Sequence, residues 1–167
     1  LKECVTRLVD YANGCDINFL IGIDINDDSY KEVKLPGKIK FIPLQPTGIV
    51  NACNSISKYI DGDIIFCTGD DIMIQSPSWC KCIIEKFDQY PDKLCCVYNE
   101  FINARPGAKR MSLCQTFFLS RVHVNLLNGI FPDTLLNYGG DNWMHTVYGK
   151  INRLVKDQRI LLHDADA

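Results

Sequence analysis

The chain has 167 residues, 47% of them apolar and 23% charged, and a formal net charge of −2. A chain of this size buries a sizeable core as one domain without staples, and its slight acidity excludes a general attraction to nucleic acid or to anionic membranes. An anionic ligand therefore needs a local device, such as a metal ion or a few placed basic side chains. No stretch approaches the roughly 20 apolar residues that span a bilayer. Leu1 opens directly into an amphipathic pattern, so no signal peptide is expected.

Leu1, Val5, Leu8, Val9 and Ala12 recur at helical spacing until Asn13-Gly14 stops the helix. Ile17 to Ile23 is an almost continuous apolar run that ends in Asp24-Ile25-Asn26-Asp27-Asp28, the pattern of a strand buried on both faces. Ile39 to Ile42 reads as a second short strand after the Pro36-Gly37 turn. Thr47 is placed to cap the next helix, where Ile49, Val50, Cys53, Ile56 and Ile60 form an apolar stripe. Asp61-Gly62 breaks it, and Ile64-Ile65-Phe66-Cys67 is a third buried strand running into Thr68-Gly69-Asp70-Asp71. Pro77 suits the first turn of a helix reaching to about Tyr90, followed by a strand from Leu94 to Tyr98. Asn103 to Arg110 reads as a basic loop, Leu113 to Leu119 as a strand, Asn142 to Lys150 as a helix, and Arg159 to Leu162 as a last strand. Strands alternating with helices predict an α/β fold, a mostly parallel open sheet with flanking helices. Ligands bind such sheets outside the carboxyl ends of the strands. Both acidic clusters stand at predicted strand ends, so both are expected on one rim.

Nine cysteines form an odd count, and several fall inside predicted strands or helices. Cys80, Cys82, Cys95 and Cys96 lack the spacers of a zinc site. Reduced cysteines acting as small core residues fit better, and they imply a cytoplasmic protein.

Three constellations carry chemistry. The spacing of Asp24, Asn26 and Asp28 fails as an EF-hand, which wants glycine at Ser29 and glutamate at Leu35. A phosphatase of the aspartyl-nucleophile type wants aspartate at Asn26; what remains is a solvated turn, or Asp24 accepting hydrogen bonds from a nucleoside. Asp70 and Asp71 are adjacent carboxylates after an apolar strand; they repel each other unless a cation compensates. Magnesium or manganese supplies that compensation and bridges to phosphate oxygens. In Tyr138-Gly139-Gly140-Asp141-Asn142-Trp143, Asp141 stands at a helix start, where an aspartate also caps backbone N–H groups. The glycines admit a ligand close to the backbone. Trp143 is either a sugar-stacking face or core. His163 is either a third metal ligand or an exposed tail residue, and His123 and His145 carry no pattern. Arg105, Lys109 and Arg110 are either diphosphate contacts or a solvated loop.

Taken in order, these pieces resemble the GT-A nucleotide-diphospho-sugar transferases, especially the inverting, family-2-like enzymes typified by polysaccharide and surface-glycan synthases. The match is closest from Gly48 to about Phe87, where Gly-Ile-Val-Asn-Ala-Cys-Asn-Ser-Ile precedes Asp-Gly-Asp-Ile-Ile-Phe-Cys-Thr-Gly-Asp-Asp-Ile. This is similar to the family's helix, strand and Asp-x-Asp-type motif. Residues 1–167 would form a single GT-A-like domain, with a nucleotide-binding part over about 1–75 and an acceptor part over about 94–167. The resemblance implies that Asp24 meets the base, Asp70 the ribose or the metal, and that Asp71 and His163 hold a manganese or magnesium ion. It implies that Asp141 deprotonates a glycan or other hydroxyl acceptor, which attacks a nucleotide-diphosphate sugar with inversion.

Two departures stand out. Gly140 occupies the place of the usual glutamate before the catalytic aspartate. The family also begins with an apolar strand that lies between the strands bearing Asp24 and Asp71, whereas this sequence opens inside the following helix. Two alternatives follow: a sugar-phosphate nucleotidyltransferase, and a GT-A-fold binding module without turnover. No nucleic-acid partner and no transmembrane segment are expected. The sequence leaves the sugar, the base, the acceptor and any homo-oligomer open.

Overall fold

The computed structural model describes residues 1–45, 48–99, 114–135 and 138–164. Thr47 and the basic loop with Arg105, Lys109 and Arg110 lie outside them.

The elements run α1 (Lys2–Asp10), β1 (Asn18–Asp24), a short 3-10 turn (Ser29–Glu32), β2 (Lys38–Leu44), α2 (Ile49–Ser57), β3 (Ile64–Cys67), β4 (Ile72–Ile74) and α3 (Trp79–Asp88). They continue with β5 (Cys96–Tyr98), β6 (Phe117–Ser120), α4 (Arg121–Leu127), α5 (Gly140–Lys150), β7 (Leu154–Lys156) and β8 (Leu162–Asp164). The expected strand at 159–162 is therefore resolved differently, as β7 before it and β8 at its end. β4 and β7 are three-residue strands, too short for periodicity to mark them.

The α/β class holds, but the sheet is not mostly parallel. β1 and β2 pair in parallel, as do β5 and β7, while β6 runs antiparallel to both β3 and β5, and β4 runs antiparallel to β8. The reason is physical. An apolar run such as Phe117-Phe118-Leu119 reports burial on two faces, which an interior strand has in either direction.

Alternation across the four-stranded sheet β3-β6-β5-β7 sends side chains into two cores. Phe66, Val97 and Phe118 face a core closed by Leu8 of α1, Ile72 and Ile74 of β4, Trp79, Ile83 and Phe87 of α3, and Leu162 of β8. Phe66 and Phe118 stack with ring centroids 4.2 Å apart. Cys67, Cys96, Phe117 and Leu119 face the opposite core, closed by Val50 of α2, Ile130 and Phe131, and Met144 and Tyr148 of α5. All nine cysteines are free thiols, and four of them (Cys4, Cys95, Cys96 and Cys114) are at most 5% exposed. Among the described residues no helix is long and apolar enough to cross a membrane.

β1–β2 forms a sheet of its own, not hydrogen-bonded to β3. Among the described residues, β1 pairs only with β2 and β3 only with β6, so each keeps one edge without a ladder partner. The consequence shows in burial: Phe19 to Ile23 and Ile64 to Cys67 are all half-buried, whereas every residue of β6 is buried. α2 packs against both β1 and β2, and Gly22 makes this close approach feasible. A Cβ at Gly22 would lie 2.5 Å from the Leu44 side chain and 2.9 Å from that of Ile56.

His123 belongs to the second core. Its Nε2 lies 2.8 Å from the Ile130 carbonyl, which can only accept, so Nε2 carries the proton. In the neutral ring Nδ1 then accepts from the Tyr148 hydroxyl at 2.6 Å. Burial holds the His123 pKa below its usual 6.5, partly opposed by the Ile130 hydrogen bond. The unfolded chain thus takes up this proton first as pH falls. Stability from His123 should be complete above about pH 6.5 and drain away as pH drops below it. Urea midpoints measured from about pH 8 to 5 should show that the difference between wild type and His123→Gln shrinks on acidification. A difference constant with pH would contradict this account.

Candidate functional site

The candidate residues are positioned by the ends of β1 and β3 and by the first turn of α1. After β1, the Ile25 N–H still donates to Leu44, and the Asp27 N–H then turns back onto the Asp24 carbonyl at 2.8 Å. The Asp27 carboxylate accepts the Ser29 N–H at 2.8 Å, and contacts from the Ser29 hydroxyl and amide hold its pKa low. Asp27 thus builds the turn, leaving Asp24 exposed at the strand end. The 3-10 turn that follows closes one side of a cleft of about 580 Å³ lined by Leu1, Lys2, Ser29, Tyr30, Glu32, Val33 and Lys34. Its lining includes neither Asp24 nor Asp71. What it shows is that the first turn of α1 stands against the loop that follows β1.

The same helical turn meets the other acidic cluster. The buried Cys4 thiol donates to the Asp70 carbonyl at 2.8 Å. Burial raises the Cys4 pKa, and the Asp70 and Asp71 carboxylates both add to the shift, so both lie close to it. α1 is itself fixed: the Trp79 indole donates to the Leu8 carbonyl at 3.1 Å, Arg7 to Gln75 at 2.7 Å, and the Ser78 N–H to the Tyr11 carbonyl at 2.7 Å. At the opposite strand ends, Asn18 of β1 donates to Asp61 just before β3 at 3.0 Å. The beginnings of β1 and β3 are therefore neighbours, and the loop after β1 and the turn after β3 both abut α1.

Within the Asp70-Asp71 turn, Gly69 has a specific use. The Asp71 Oδ1 lies over its bare Cα, at a place where a Cβ would collide with it. β4 follows at once, and its ladder with β8 sets Met73 opposite His163. Both residues are half-buried, while Ile72, Ile74 and Leu162 on the other face are buried, so His163 shares the face that Asp71 continues.

Asp141 comes from the other side of the sheet. Asn54 of α2 accepts the Ile130 and Phe131 N–H groups at 2.9 Å each and donates to the Phe131 carbonyl at 3.0 Å. This clamp holds the Phe131 ring edge-on to Phe117, with centroids 6.1 Å apart, and Phe117 pairs with Cys67 at the end of β3. The ring also fills the space over Gly140. Two rings, those of Phe117 and Phe131, therefore lie between the ladder at the end of β3 and the start of α5. Asp141 is half-buried, and its Oδ1 accepts the Asn142 N–H at 2.8 Å.

The Asp70-Asp71 turn thus abuts α1, Asp24 ends the strand whose following loop also abuts it, His163 lies across the β4–β8 ladder from the residue two after Asp71, and Asp141 starts a helix on the opposite face of the four-stranded sheet. Among the described residues, no group of three or more His, Cys, Asp or Glu side chains is arranged to hold a metal ion unaided. Trp143 is no sugar face: it packs beside the second core, edge-on to His123.

Sequence reasoning missed Cys4, Asn54 and Phe131. Asn54 had a signal, a polar residue one helical turn after the fully buried Val50 on the apolar stripe. Cys4 and Phe131 had none, since their partners are 66 and 77 residues away in sequence. No family model matches the chain, and no curated protein does.

The Phe131 ring also explains why glycine stands at position 140. A Cβ there would lie 2.6 Å from Phe131 Cε1. Gly140→Ala should cost about 1–3 kcal/mol by overpacking, and much less in a Phe131→Leu background, as read from denaturation midpoints. An equal cost in both backgrounds would refute the contact as the cause.

Proposed function

We propose that this chain is the nucleotide-sugar-binding domain of a metal-dependent GT-A-type glycosyltransferase that inverts configuration. The observation that carries the reading is that the loop after β1 and the Asp70-Asp71 turn after β3, both following strands that end in carboxylates, abut the same helical turn. Ordinary packing does not call for adjacent carboxylates at such a place, because like charges there raise the energy of the fold.

In this reading Asp71 and His163, whose oxygen and imidazole donors are of kinds that manganese or magnesium accept, would hold a divalent ion. Two protein donors are enough, because such ions usually take their remaining positions from water and substrate phosphates. When bound, the ion supplies positive charge against the diphosphate. Gly69 keeps the Asp71 carboxylate folded over the turn. Asp24 accepts hydrogen bonds from the base, and Asp70 reaches the ribose or joins the ion. The second oxygen of Asp141, which has no partner among the described residues, takes the proton from an acceptor hydroxyl. As that proton leaves, the hydroxyl oxygen forms its bond to the anomeric carbon from the opposite face. The bond to the diphosphate breaks, and a nucleoside diphosphate departs.

One observation favours a binding module without turnover as the second reading. The Phe131 ring occupies the space over position 140, where the resembled family carries a glutamate. The two readings differ in transfer, and both require nucleotide binding.

Calorimetry with uridine, guanosine, cytidine and thymidine diphosphates, with and without manganese, should find at least one that binds only with the ion. Asp71→Ala should abolish that binding, and unchanged affinity would overturn the metal assignment. Asp141→Asn should retain nucleotide binding while lowering transfer by about 10²–10⁴-fold. Release of pyrophosphate in place of nucleoside diphosphate would identify a nucleotidyltransferase.

A further inference from the structure

Cys95 and Cys96 stand side by side at the start of β5, and alternation sends Cys95 to the first core and Cys96 to the second. In the second core the Cys96 Sγ lies 3.3 Å from the Cys114 Sγ, and both residues are 0% exposed. The two positions are 18 apart in sequence, Cys96 on β5 and Cys114 in the chain that enters β6, its ladder neighbour. Sulfurs joined in a disulfide stand about 2 Å apart, so the gap to close is only about 1 Å. Among the described residues no group of three or more His, Cys, Asp or Glu side chains is arranged to hold a metal ion, so these thiols form a pair and not a metal cage. Neither takes part in the transfer chemistry above, and their own chemistry is read without it.

We infer that Cys96 and Cys114 are a peroxide-oxidised pair, whose reversible disulfide staples β5 to the chain entering β6. The thiolate of one residue attacks a peroxide oxygen and the O–O bond breaks. The hydroxide that leaves takes up a proton as water, and a sulfenic acid remains. The second sulfur then attacks the sulfenic sulfur; the S–O bond breaks, a second water leaves and the S–S bond is made. Two thiols thereby lose two hydrogens and two electrons, and one hydrogen peroxide is reduced to two waters. Hydrogen peroxide suits the site because it is small enough to reach a buried core. The second thiol is already in contact with the first, so the closing step is intramolecular and outruns further oxidation to sulfinic acid. Burial, and then the neighbouring Cys114 thiol, push the Cys96 thiol well above its ordinary range. The reactive thiolate is therefore scarce at neutral pH, and oxidation speeds up as pH rises. The staple closes on the core that also holds Phe117, Phe131 and Tyr148.

The test treats reduced wild-type protein with hydrogen peroxide, blocks the remaining thiols with iodoacetamide in denaturant, and maps tryptic peptides by mass. Trypsin cuts after Lys109 and Arg110, so Cys96 and Cys114 fall in different peptides. The expected product is those two peptides joined, two hydrogens lighter than their sum, with fragmentation placing the link on Cys96 and not on Cys95. Dithiothreitol should reverse it, and it should form faster at about pH 8.5 than at about pH 7. Cys95→Ser should keep the link and Cys96→Ser should abolish it. Both thiols still open to alkylation after peroxide, Cys96 linked to any other cysteine, or sulfinic acid at either position without a link would overturn the pair. The oxidised protein should melt about 5–10 °C above the reduced protein, with peroxide-treated Cys96→Ser as the control. An equal or lower melting temperature would reject the staple.

Discussion

The arrangement depends on how the first turn of α1 is seated between the segment that follows β1 and the turn that follows β3. Lys2 lines the cleft beside the loop after β1, and two residues later Cys4 touches the Asp70 carbonyl. One turn of helix therefore meets two segments, Ser29 to Lys34 and the Asp70-Asp71 turn, that lie more than 35 residues apart in sequence. The helix holds this position because Leu8 and Ala12 are buried in the first core and because Trp79, Gln75 and Ser78 tie it to β4 and α3. Burial of a leucine such as Leu8 is worth roughly 1.5–3 kcal/mol, and of an alanine methyl about 0.8 kcal/mol. The strength of the helix seat thus comes from apolar packing, and the hydrogen bonds set its orientation.

The two halves of the candidate site have different foundations. Asp141 stands on a well-buried foundation, where Asn54 satisfies three backbone groups of the Ile130–Phe131 segment and Phe131 is 4% exposed. Asp24 stands on β1, which has one ladder partner and no fully buried residue. Asp70 and Asp71 follow β3, which is likewise half-buried with one edge unpaired among the described residues. A strand whose apolar residues point to both faces is built for an interior position, so the separation of β1–β2 from the four-stranded sheet leaves two interior-type strands on edges.

Much of the fold was legible because its signals are local. Ile64 to Cys67 and the acidic turn after it, the helical stripe of α1, and the glycine pair before α5 follow from periodicity and turn chemistry that a few neighbouring residues determine. Strand direction was not legible, since Phe117-Phe118-Leu119 reads the same in an antiparallel interior strand as in a parallel one. β4 and β7 are held by their partners β8 and β5 and carry no pattern of their own. In the site, carboxylates announced themselves by their cost, and the side chains that seat them did not. Cys4 reads as one more core cysteine until it meets Asp70, and Gly140 reads as ligand access until the Phe131 ring is seen above it. Trp143 went the same way, since whether a helical tryptophan faces core or ligand depends on His123, a residue of another helix.

The central claim is spatial: Asp24, the Asp70-Asp71 turn, His163 and Asp141 surround one ligand. Paramagnetic broadening tests it in a single spectrum, with manganese added to isotope-labelled protein in the presence of a nucleoside diphosphate. The account predicts concerted loss of backbone signals from residues 24, 69–73, 141 and 163, reversed by a chelator and absent when manganese is added without nucleotide. Broadening confined to scattered surface carboxylates, or reaching 71 but sparing 24 and 141, would contradict it.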